Sequence, residues 1–143
     1  MHGGQPDFRR RVFPGAAFVL KNFFMDKILA VKTSGFCMSP VLKSGDIALV
    51  NRARNPSAGD AVLFRINGAK FIHRVLCRAK EAGREGFIIA DDCGLTAPVF
   101  APAESVIGVC CIFPSGKTGL VYSLISRFIF KLARRIKNII FIG

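Results

Sequence analysis

Between Ile28 and Phe113 the chain is cut into short apolar runs by turn residues at regular spacing, and no other feature limits its fold as much. The runs are Ile28–Thr33, Ile47–Asn51, Ala61–Ile66, Lys70–Arg78, Gly86–Ala90 and Val106–Phe113. Between them lie Lys43-Ser44-Gly45-Asp46, Asn55-Pro56-Ser57-Ala58-Gly59-Asp60, Asn67-Gly68 and Glu81-Ala82-Gly83-Arg84. Runs this short, bounded this way, are strands rather than helices. Asn67-Gly68 suits a type I′ hairpin, whose two central residues both need positive φ. The pattern predicts a mainly β protein built on a small antiparallel sheet.

After Pro114-Ser115-Gly116 the period changes. Leu120, Leu124, Phe128, Leu132, Ile136 and Ile140 recur every four residues, flanked by Val121, Ile125, Ile129 and Ile139, which predicts an amphipathic helix. Arg127, Lys131, Arg134, Arg135 and Lys137 fall on its other arc, and that many cations make spanning a bilayer costly. A basic face beside an apolar one suits a helix lying in the membrane interface. Packing of the apolar stripe on the sheet or on a second copy would give the same periodicity.

At the other end, Gly3-Gly4, Pro6, Pro14-Gly15 and Arg9-Arg10-Arg11 predict a loose basic arm. The apolar run Val12–Leu20 behind those arginines has the look of a signal-peptide core, but no small-residue cleavage site follows it. Lys21, Asp26 and Lys27 interrupt any span. A short helix near 16–25 is the expectation. The divisions are 1–27 for arm and helix, 28–114 for the β-domain and 115–143 for the amphipathic helix.

With 143 residues there is room for one compact domain with terminal arms. The 51% hydrophobic content and mean hydropathy of +0.40 exclude a disordered chain. The net charge of +12 is unevenly spread. Residues 1–35 carry six Lys/Arg against two acids, residues 36–116 nine against seven, and residues 117–143 six against none. A nucleic-acid reader carries its basic stripe on the folded domain; here the domain is near neutral and the arms are basic, which argues for an anionic membrane surface and against nucleic acid. Five cysteines form no C-x-x-C pair, so neither a disulfide framework nor a zinc site is signalled, and a reducing, cytoplasmic-side setting is expected. No metal or organic cofactor is implied.

Chemistry concentrates in Ser34-Gly35-Phe36-Cys37-Met38-Ser39-Pro40. A small reactive side chain just after a glycine, in a turn, can present a nucleophile beside backbone N–H groups able to hold an oxyanion. Downstream, His73 is the one histidine within the β-domain. An imidazole partner lowers a thiol's pKa and raises its thiolate fraction. Cys37 as a small buried hydrophobe is the alternative. Cys77 and the pair Cys110-Cys111 read as packing residues. A metal centre from Cys37, His73, Asp92 and Cys93 lacks the ligand spacing that would argue for it.

In order along the chain, Gly35-Phe36-Cys37-Met38-Ser39-Pro40, Gly45-Asp46, Gly59-Asp60-Ala61-Val62-Leu63-Phe64, Ile72-His73-Arg74-Val75, Asp91-Asp92 and Val106-Ile107-Gly108 resemble the signal peptidase family and its LexA-type relatives. The likeness runs from about Val31 to Val109. In that family the residue before Met is a serine nucleophile. The residue before Arg-Val is the general base, lysine in the bacterial form and histidine in the endoplasmic-reticulum and archaeal form. The resemblance therefore implies Cys37 as nucleophile, His73 as base and Asp92 as the carboxylate that helps to hold it, with Phe36, Met38 and Pro40 on the oxyanion and substrate side. Two positions depart from the pattern: Cys37 replaces serine, and Asp91 replaces the glycine of a Gly-Asp corner. Arg74 is expected to anchor its strand through a carboxylate.

The implied function is an endopeptidase that cleaves a leader, signal or precursor peptide by acyl transfer, with an extended substrate paired to a strand edge. A peripheral, membrane-associated enzyme is expected rather than one anchored by an N-terminal span. The alternative is a catalytically silent protein of the same fold that binds peptides or acts as a scaffold. Self-cleaving repressors are disfavoured, because the residues before the sheet leave little room for a DNA-binding segment and lysine stands in them where His73 stands here.

Overall fold

The computed structural model describes residues 17–21, 27–35, 37–111 and 114–140. Eight strands form one antiparallel sheet: β1 (Ala17–Lys21), β2 (Ile28–Thr33), β3 (Ile47–Asn51), β4 (Ala61–Ile66), β5 (Ala69–Glu81), β6 (Arg84–Ala90), β7 (Val99–Pro102) and β8 (Val106–Cys110). A 25-residue helix, α1 (Gly116–Ile140), follows. The sheet order is β1-β2-β3-β8-β4-β5-β6-β7. The last strand thus lies in the middle, between two strands adjacent in sequence.

The turn residues do what their chemistry predicts. Asn67 and Gly68 take φ of 50° and 78°, as a type I′ turn requires, and Ile66 pairs with Ala69 across it. The two Gly-Asp corners share one device. Gly45 and Gly59 sit at φ of 96° and 90°, and each following aspartate accepts a bond from the amide three residues before it. Lys43 N–H donates to Asp46 at 2.8 Å and Ser57 N–H to Asp60 at 3.0 Å.

Two departures from expectation occur at the N-terminal side. Within the span expected to be helical, Ala17–Lys21 is strand β1, paired with β2 from Ala17↔Thr33 to Lys21↔Ala30; residues 22–25 lie outside the described ones. The sheet therefore begins before residue 28, the expected start of the β-domain. The run AFVLK is too short for periodicity to decide between helix and strand, and the open edge of β2 decides it by supplying partners for its backbone groups.

Two clusters fill the core. One gathers Leu29, Val31, Val50, Leu63 and Ile72 under the Cys37–Leu42 turn; the other gathers Val62, Phe64, Val75, Phe87, Ile89 and Val109. Between the sheet and α1 lies Arg74, fully buried. Its Nε and Nη2 donate to the two carboxylate oxygens of Asp92 at 2.8 and 2.7 Å. Nη1 donates to the carbonyls of Gly59 and Pro114, both at 2.7 Å, and the guanidinium carbon lies 5.6 Å from the Tyr122 ring centre. The expected carboxylate anchor for Arg74 is present, and it also ties in the start of α1.

The amphipathic helix forms as expected, but its apolar stripe does not cover the sheet. Among the described residues of α1, Gly119, Ser123 and Ser126 are the buried positions. Small residues there let the backbones approach: a Cβ on Gly119 would meet the Gly59 carbonyl oxygen, and one on Gly59 the Gly116 backbone. Leu124, Ile125, Phe128 and Ile129 are 55–66% exposed. Among the described residues no helix is long and apolar enough to cross a membrane.

Candidate active site

The turn carrying Cys37 hangs between β2 and β3 and is sewn to the corner after β6. The Cys37 carbonyl accepts from Asp92 N–H at 2.9 Å and Cys93 N–H at 3.3 Å, and Met38 accepts from Leu42 N–H at 3.0 Å. Cys93 Sγ reaches the Ser39 carbonyl at 3.7 Å. Cys37 itself is 7% exposed. The cleft beside it, lined by Thr33, Ser34, Gly35, Met38, Leu42 and Ile72, holds about 20 Å³, room for little more than one water.

His73 sits on β5 opposite Val62 of β4, its ring centre 5.5 Å from that of Phe64 and 6.1 Å from that of Phe71. It is buried, and among the described residues neither ring nitrogen has a hydrogen-bond partner. No hydrogen bond therefore joins the imidazole to the Cys37 thiol in this resting arrangement. Alternation along the strand sends the next side chain, Arg74, to the other face, where it takes both oxygens of Asp92. The carboxylate expected to hold the base is thus held by Arg74, one residue on.

Asp91 is the residue that the sequence did not single out as functional. It is fully buried and its carboxylate accepts from Leu95 N–H at 3.0 Å, Thr96 N–H at 2.7 Å and Thr96 Oγ1 at 2.9 Å. That fixes the 91–96 corner to which Cys37 is sewn. Its charge also reaches both candidate groups. Burial, with Asp91 second, raises the Cys37 thiol above its ordinary 9.0. Burial lowers His73 below 6.5, against the opposing pull of Asp91 and Asp92. Both directions favour the uncharged forms at neutral pH, a thiol and a neutral imidazole, not a preformed thiolate–imidazolium. Thr96, five residues after an aspartate in a turn-rich stretch, was the available sign of a side-chain-capped corner.

Of the other expected site residues, Phe36 lies outside the described ones. The Met38 side chain is 4% exposed and belongs to the first core cluster, so it shapes the turn from beneath. Pro40 is exposed at the rim, after a cis peptide bond. Among the described residues no group of three or more His, Cys, Asp or Glu is placed to hold a metal ion. A cleft of about 710 Å³ lies elsewhere, between the Arg52–Pro56 loop, the far ends of β5 and β6, and the approach to β8.

A family model described as Peptidase S24-like matches residues 3–92, a span that takes in the Cys37 turn, His73 and Asp92. The chain belongs to the Peptidase S24-like family. No curated protein and no solved structure matches it. S24-like membership fits the mainly β architecture and gives a peptidase fold within the broader grouping that the motifs resembled. It is coarser than the signal peptidase family, and it assigns no catalytic residue. The match stops at Asp92, so β7, β8 and α1 of this S24-like protein lie beyond it.

Proposed function

We propose that this S24-like protein is an endopeptidase that cleaves a leader, signal or precursor peptide with Cys37 as nucleophile and His73 as base. His73 accepts the thiol proton as sulfur attacks the scissile carbonyl, and N–H groups of the Cys37 turn hold the oxyanion. Collapse of the tetrahedral adduct breaks the C–N bond, the amine leaves with the proton from the imidazolium, and a thioester remains. Water, deprotonated by His73, then hydrolyses the thioester and restores the thiol. Asp92 acts as a positioning residue, since its pairing with Arg74 fixes β5 next to His73.

The observation that carries this reading is His73: a buried imidazole with both nitrogens unpartnered among the described residues, next in sequence to Arg74, whose carboxylate partner Asp92 donates its N–H to the Cys37 carbonyl. Leaving such a group unsatisfied costs stability, and functional sites are where such costs persist. Catalytic hydrogen bonds often tighten only in the substrate complex, so the unpartnered imidazole is compatible with this role.

The raised thiol and the narrow cleft favour a second reading, a silent peptide-binding module. A peptide aldehyde series separates the two. An active site forms a hemithioacetal on Cys37, read from the carbon-13 resonance of a labelled aldehyde carbon, that disappears in Cys37→Ala and falls steeply in His73→Ala. Peptide binding with no adduct, unaffected by either change, would establish the silent module.

A further inference from the structure

We infer that the outward face of α1 is a docking surface for an anionic lipid bilayer, with the helix lying along the interface. Its small polar face, Gly119, Ser123 and Ser126, is spent on the protein, so the apolar arc is left without a partner among the described residues. Leu124 and Phe128 are each 66% exposed, Val121 57%, Ile129 56% and Ile125 55%. A contiguous arc of that kind marks an interaction surface.

Charge selects the occupant. Residues 117–143 carry six cations and no acid. Lys131 and Arg135 are exposed one turn apart; at about 100° per residue they do not fall on the expected opposite arc, but Lys131 borders the apolar arc on the Leu124 side and Arg135 falls between Leu124 and Phe128. Beside them a cleft of about 400 Å³ opens between α1 and the corner after β6, lined by Gly94, Arg127, Phe128, Lys131 and Arg134. Arg134 Nη2 is anchored to the Gly94 carbonyl at 2.9 Å, which holds the cationic wall in place. Phe128 lines both the cleft and the apolar arc, so a phosphate headgroup in the cleft would leave its acyl chains over the arc. A second copy meeting face to face would bring Lys131 and Arg135 of each copy towards each other, with no acid in residues 117–143 to offset them. An anionic bilayer accepts the apolar arc and the cations together. The dock lies along α1 while the site is held at its N-terminal end through Arg74, so a bound enzyme would work at the membrane surface.

Co-sedimentation of the full chain with vesicles tests this. Vesicles of equal parts phosphatidylglycerol and phosphatidylcholine should bind at least tenfold more tightly than phosphatidylcholine alone, with affinity falling as salt rises. Leu124→Asp with Phe128→Asp should abolish binding. Lys131→Glu with Arg135→Glu should weaken it at least tenfold and flatten the salt dependence. All four side chains are exposed, and unchanged far-ultraviolet circular dichroism would verify the fold of each variant. Binding to neither vesicle, binding that survives both variants, or a dimer in sedimentation velocity that the aspartate pair dissolves would each overturn the inference.

Discussion

Arg74 and His73 are neighbours in one strand with opposite energetic signs. The guanidinium makes four hydrogen bonds, to a carboxylate and two carbonyls, and removing one partner of a buried ion pair is expensive because the other charge stays behind. Asp92→Asn should cost about 3–5 kcal/mol by urea unfolding. Were Asp92 only an orienter of the base, turnover would fall while stability stayed put. For His73 the reverse holds. His73→Phe completes the aromatic group with Phe64 and Phe71 and removes two orphaned nitrogens, so it should stabilise the fold by about 1 kcal/mol while abolishing cleavage. The pH dependence follows from the lowered imidazole. Below pH 6.5 the unfolded chain takes up a proton that the folded chain refuses until its own, lower value is reached. Wild-type stability should therefore fall as pH drops from 6.5 through that window, and His73→Phe should remove this part of the slope. Cys37 and His73 were legible because each stands in a motif. The role of Arg74 as the hub for Asp92 was legible only in outline, as a strand anchor, since its partners are 15 to 40 residues away.

Among the elements, the contact between the Gly59 turn and α1 depends on two missing side chains. Gly119→Ala would push a methyl into the Gly59 carbonyl, and Gly59→Ala would add positive-φ strain to overlap with Gly116. Each should lower stability by about 2 kcal/mol or more. Gly83→Ala is the control: φ is 78° but nothing lies within 4 Å of the added Cβ, so only the backbone cost of about 1 kcal/mol remains. Thermal unfolding of the three variants separates close approach from dihedral strain. The β2 to β6 strands and α1 were readable because their apolar periods are long or bounded by turn residues. β1 was not, because its identity depends on pairing with β2. Nor was the direction in which α1 faces: periodicity marks an apolar arc, but whether that arc meets the sheet depends on Gly119, Ser123 and Ser126, whose small size matters only once Gly59 is opposite.

For the whole molecule, the family match and the folding unit differ. Residues 3–92 carry the motifs, yet β8 is what joins β3 to β4, through Val50↔Cys110 and Val62↔Val109. A chain truncated after Asp92 should therefore show no cooperative unfolding transition, whereas the full chain should show one. That central position also has a temporal meaning. Translation delivers residues in order, at about 5–20 per second, so a nascent chain holds β1-β2-β3 and β4-β5-β6-β7 as two half-sheets with facing open edges until Val106–Cys110 emerges. The strand that unites them arrives late, immediately ahead of the helix, and until then those edges are the chain's most exposed route to pairing with a neighbour instead of with itself.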